Sequence, residues 1–132
     1  MTTRPAARST CRELTLDSVP SDLHLVDRRL VSFGPTLSGV DATYGGGGDR
    51  SIRLISGGYF DEITEPYDAL QVEEILPRDT FEIQQLAGTF RGQSVLVALW
   101  REPAIPVPCD ARAIVALGLT PEEFRRVVDQ AR

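Results

Sequence analysis

Along this chain the hydrophobic pattern is clearest at Val95–Trp100, six apolar residues in a row, two of them β-branched. A run that short, bounded by polar residues, predicts a strand covered on both faces. Arg91-Gly92 separates it from a second apolar-rich segment that begins at Phe81, and Gly92 is free to take the positive φ of a hairpin turn. A three-residue loop, Phe90-Arg91-Gly92, with Gly92 in a bulge, suits Arg91 better than a type I′ turn. This hairpin is expected at the centre of one small sheet.

Upstream the period changes. Leu23, Val26, Leu30 and Phe33 fall within about 80° of one another at 100° per residue. Ser21 stands where an N-cap would, Asp22 follows in the first turn, Arg28 and Arg29 come late, and Gly34-Pro35 supplies a stop. These signals predict an N-terminal helix, preceded by a short strand over Arg12–Asp17. Thr36–Tyr44 and Arg50–Ser56 are β-prone flanks of Gly45-Gly46-Gly47-Gly48-Asp49, a hairpin with a loose tip. Between Asp61 and Leu76 the apolar positions fit neither period well, and Leu70–Leu76 is read as strand. Three prolines make Glu102–Cys109 an extended connection. Asp110 can cap a helix over Ala111–Leu117 that Gly118 ends. Thr120-Pro121-Glu122-Glu123 is a capping box with Pro at the first helical position, and Phe124, Val127, Val128 and Ala131 form the apolar face that follows.

The order predicts an α+β fold: a mostly antiparallel sheet, a meander of about five strands, with an N-terminal helix and two short C-terminal helices packed on one face. That order is loosely similar to helix-grip proteins, in which a sheet wraps a C-terminal helix around an apolar cavity, an analogy of fold alone. Residues 1–12 carry Arg4, Arg8 and Arg12 without an acid and read as a flexible basic arm. Residues 13–132 are expected to form a single domain, a size that buries about 68% of the unfolded surface.

Composition narrows the chemistry. All 14 basic residues are Arg; Lys and Asn are absent. By a codon argument this points to a GC-rich, bacterial genome. It also excludes a Schiff-base lysine and the lysine of a phosphate loop. No apolar run approaches the roughly 18 residues of a membrane span, and the N-terminus lacks the apolar segment of a secretory signal. A cytoplasmic location is therefore expected, where Cys11 and Cys109 would be free thiols rather than a bridge. His24 is the only histidine and is expected on the helix surface, in a charge pair with its neighbours. The sequence contains no G-x-S-x-G, H-E-x-x-H or C-x-x-C. The glycine run lacks the spacing of a nucleotide loop. The last two expected helices have a faint helix–turn–helix look, but they carry as many acids as arginines, so nucleic acid is not the expected partner.

Charge separates the chain into unequal parts. Residues 1–50 hold six Arg and six acids, residues 51–90 two Arg and eight acids, residues 91–132 six Arg and five acids. The whole net charge of −5 thus arises between Asp61 and Glu82. Such a block can steer a basic partner, at a salt-dependent rate, or simply form a solvated face. Its acids lack a calcium-loop pattern and have no nearby His or Cys, so neither a metal nor a cofactor is expected.

Two functional expectations follow. The first is a non-enzymatic interaction protein, an inhibitor, immunity-type or accessory factor, that meets a basic partner protein through Asp61, Glu62, Glu65, Asp68, Glu73 and Glu74. The second is a small-ligand-binding domain or small enzyme with an apolar cavity between sheet and C-terminal helix, served by Tyr59, Tyr67 and Trp100. Nothing in the sequence specifies an oligomeric state.

Overall fold

Strand propensity and burial on both faces make Gln93–Arg101 the strand that the apolar run predicts, and it lies inside one large sheet rather than a small one. The computed structural model describes residues 9–46 and 48–132. In chain order the elements are β1 (Ser9–Thr10), β2 (His24–Ser32), β3 (Leu37–Gly45), β4 (Ser51–Ser56), α1 (Phe60–Thr64), β5 (Asp68–Pro77), β6 (Glu82–Phe90), β7 (Gln93–Arg101), β8 (Ala111–Leu117) and α2 (Pro121–Gln130). Strands hold 50% of the described residues and helices 12%. The expected helix-packed α+β fold is therefore replaced by an eight-stranded mixed sheet with two short helices. Its order is β2-β3-β4-β8-β7-β6-β5, antiparallel throughout, with β1 added in parallel at the start of β3.

The N-terminal helix does not form. Its residues are β2, paired with β3 from Ser32↔Ser38 to His24↔Gly45 and exposed along nearly its whole length. An edge strand with both faces in water need not alternate, so Val26 and Leu30 mark no buried helical face, and of the four only Leu23, just before the strand, is buried in the core. The capping signals at Ser21-Asp22 mark a turn instead, closed by Leu23 N–H donating to the Pro20 carbonyl. His24 accordingly sits exposed on a strand. Arg12–Asp17 forms no strand either, but it buries Leu14 in the core.

Ala111–Leu117, expected as a helix, is β8, held between β4 and β7. A short, continuous apolar run is compatible with either structure, and here Ala, Val and Ile fill a strand crowded on both faces. Without that helix there is no helix–turn–helix pair. Asp110 binds Arg101 at 3.2 Å instead of capping.

The hairpin between β6 and β7 has a two-residue turn rather than the expected three. Phe90 pairs with Gln93, and both Arg91 (φ 51°) and Gly92 (φ 80°) lie in the left-handed region, the signature of a type I′ turn. The Arg91 guanidinium sits 5.0 Å from the centre of the Phe90 ring, a contact that offsets the strain on Arg91. The capping box at Thr120 is present as expected, with both reciprocal bonds formed.

Alternate residues of the sheet feed two cores. Ile52, Leu54, Ala98, Trp100 and Ile114 pack under Phe124, Val127 and Val128 of α2. Ile55, Leu86, Val97, Leu99 and Val115 face the other way, under Phe60 and Ile63 of α1 and under Tyr67 and Leu70. Of the expected basic arm, residues 1–8 lie outside the described residues. Ser9 and Thr10 form β1, and Cys11 is buried in a disulfide with Cys109. The expectation of free thiols is corrected on that ground: β1 pairing ties Cys11 to β3, and Cys11 N–H donates to the Ser38 carbonyl.

Candidate functional site

The acidic segment is built outward from Gly57-Gly58. Gly57 has φ +93°, and a Cβ on it would lie 2.7 Å from Cys11 Sγ, so only glycine fits. From there the chain leaves β4 and enters α1. Phe60 and Ile63 point into the sheet core, which leaves Asp61 and Glu62 in water, followed by Glu65 and Asp68, also exposed. Tyr67 turns inward. Its ring packs edge-on against Phe90 at 5.6 Å and its hydroxyl accepts from Arg53 at 3.1 Å. Arg53 is in turn held by Asp41, with Nη2 2.6 Å from Oδ2.

β5 then runs along one margin of the sheet. It pairs with β6 alone, with register shifts between Asp68 and Gln71 and between Val72 and Glu74. Such bulges bend a margin strand and disrupt its pairing. Val72 and Ile75 lie opposite Leu86 and Gln84, on the α1 side of the sheet, and are about half exposed (52% and 50%). Leu76 alone in this strand is buried, toward α2. Sequence reasoning took the apolar residues of Leu70–Leu76 only as strand formers. The signal that β5 is a margin was present in the chain: two adjacent glutamates inside the run and a proline that ends it.

Electrostatics distinguish this region from the rest of the molecule. All eight acids from Asp61 to Glu82 are exposed. Among the described residues only one of them, Glu74, forms an ion pair, with Arg125 of α2 at 3.2 Å. Elsewhere the acids are nearly all neutralised by arginine, with Asp49 and Glu122 the exceptions among the described residues. In one of these pairs, Arg50–Glu123 at 2.7 Å, the Arg50 hydrogen bond, helped by the Thr120 backbone N–H, lowers the Glu123 carboxyl to about 2. Asp61, Glu62, Glu65 and Asp68 therefore lie close along the chain over α1 and its exit, and Glu73 follows on β5. Glu74 turns to the opposite face.

The three aromatic residues expected around a ligand do not converge. Trp100 is buried on the α2 side, whereas Tyr67 packs on the α1 side and Tyr59 stands exposed before α1. The layer between sheet and α2 is filled by side chains such as Phe124, Ile114 and Leu54. Tyr59 does line a groove of about 150 Å³ with Phe33, Asp41, Arg53 and Ile63, below the roughly 300–1,000 Å³ of a small-molecule site.

Arg112 is the buried cation that sequence reasoning missed. It is fully enclosed, donates through Nη1 to the Arg12 carbonyl, and has Nε 3.8 Å from Glu102. Burial lowers its pKa. It pins the segment after Cys11 over the end of β8 and is closed to partners. Among the described residues no three His, Cys, Asp or Glu side chains are grouped as a metal would require, and no helix is long and apolar enough to cross a membrane. No protein-family model matches the chain, and comparison with curated proteins and with solved structures returns no match.

Proposed function

We propose that this chain is a non-enzymatic interaction protein that binds a basic protein surface through α1, its exit and the β5 margin. One observation carries the reading. In a molecule that pairs its acids with arginines almost everywhere else, seven of the eight carboxylates between Asp61 and Glu82 form no ion pair among the described residues. Exposed charges of one sign raise encounter rates with a partner of opposite sign and enforce its selection, and they do so in proportion to how little they are screened. Val72 and Ile75 supply apolar area beside the charges, as interface centres require. The Cys11–Cys109 bridge favours oxidising surroundings over the cytoplasmic location expected from the sequence.

The test is capture of partners at low and high salt, with the wild type and with a variant carrying Asp61→Asn, Glu62→Gln, Glu65→Gln and Asp68→Asn. Binding that weakens with salt and is lost in the variant supports the reading. A variant that captures every partner as well as the wild type ends it.

A further inference from the structure

The opposite margin of the sheet is β2, and it has a different character. Leu25, Val26, Leu30 and Val31 are 49%, 55%, 53% and 39% exposed. Phe33 N–H donates to the Leu37 carbonyl, which fixes the phase of the β2–β3 ladder. The backbone groups of Asp27, Arg29 and Val31 then point to β3, and those of Arg28 and Leu30 point outward with no strand beside them among the described residues. A margin of this kind, long and aliphatic, is a template for another strand.

The sequence of β2 states which strand fits. Read antiparallel against itself about Arg28, Leu25-Val26-Asp27-Arg28-Arg29-Leu30-Val31 places Asp27 opposite Arg29 of the second copy, and Leu25 and Val26 opposite Val31 and Leu30. We propose that β2 pairs with β2 of a second copy of this chain about a two-fold axis at Arg28, joining two sheets into one. The outward Arg28 backbone groups close two reciprocal hydrogen bonds on the axis. The two Arg28 side chains meeting there are each already held by Glu13, at 2.7 and 3.3 Å. On the other face the Asp27–Arg29 pair, 2.6 Å apart, meets its inverted copy and forms a square of alternating charge. β5 is the poorer template, since antiparallel self-pairing about Glu73-Glu74 would set glutamate opposite glutamate. A two-fold contact uses one patch twice and closes, whereas β2 on β5 would be head-to-tail and open-ended.

Sedimentation of the full chain tests this. The wild type is expected as a concentration-dependent dimer. Asp27→Arg places Arg opposite Arg, and Arg29→Glu places acid opposite acid, so each variant alone is expected as a monomer. Mixed together they restore complementary contacts and are expected to form a heterodimer, which a merely structural role for these residues would not produce. Circular dichroism confirms that each variant is folded. Should either fail to fold, Leu30→Asp, at a half-exposed position, takes its place and is expected to abolish dimerisation. A wild type that stays monomeric at every concentration overturns the proposal. So do variants that remain dimeric, or larger species that disappear when Glu73 and Glu74 become glutamine. The proposal stands apart from the acidic-surface reading, because the partner-capture variant leaves β2 untouched.

Discussion

The two margins of the sheet are similar in length and exposure and opposite in charge bookkeeping. β2 carries four exposed aliphatic residues, and its charges are satisfied within the strand or by Glu13. β5 carries two, and its charges are left open apart from Glu74. Exposed apolar area alone would not say what kind of partner each accepts. Where the charges are already balanced, a margin can accept a copy of itself, and where they are unbalanced it selects something of opposite sign. The same division extends inward. Disulfide, capping box, buried Arg112 and most ion pairs lie with the N-terminal segment and α2, while β5 is held mainly by its ladder to β6 and α1 by Phe60 and Ile63 packed on the sheet.

Substitutions break or sharpen that division in order of size. Phe124→Ala, at a fully buried position under α2, is expected to cost about 3–5 kcal/mol, read by denaturant unfolding. Reduction of Cys11–Cys109, which closes a separation of 98 residues, is expected to cost about 2–4 kcal/mol, read as the difference in Tm with and without reductant. A smaller effect is expected at Glu123. Its carboxyl is lowered from 4.5 to about 2 in the folded chain, chiefly by the Arg50 hydrogen bond. It therefore contributes stability above pH 4.5, and that contribution is lost as pH falls through about 2. The Tm gap between wild type and Glu123→Gln should be constant above the upper limit and vanish below the lower. Smallest of all, the fourfold neutralisation over Asp61–Asp68 is expected to change stability by no more than about 0.5 kcal/mol. It should also reduce the salt dependence of Tm, because repulsion among unpaired acids is screened in the wild type. A large loss there would show that the acids hold the fold together and would erase the contrast.

The sequence made parts of this legible and concealed others for definable reasons. Val95–Trp100, the glycine-tipped hairpin and the capping box at Thr120 each carry a local signal that tertiary packing reinforces. Ala111–Leu117 carries only apolarity, which does not choose between helix and strand, and its neighbours β4 and β7 decided the matter. In and around β2 the helical spacing was real, but only Leu23, outside the strand, reaches a core. The charge block was visible as composition, yet its lack of arginine partners depends on where fourteen side chains end up, which no local pattern encodes. The partner of Cys11 was hidden likewise, since β1 is only two residues long.

One feature of the topology bears on how the molecule comes into being. β8 joins the β2-β3-β4 meander to the β5-β6-β7 meander, yet it leaves the ribosome after both. Until it arrives, β4 and β7 each present an unpaired inner flank, and pairing of β4 with β8 must span more than half a hundred residues of chain. Nascent chains should accordingly complete their fold late and slowly, on the milliseconds-to-seconds scale of non-local sheets. They should rely on holding factors until this keystone is seated.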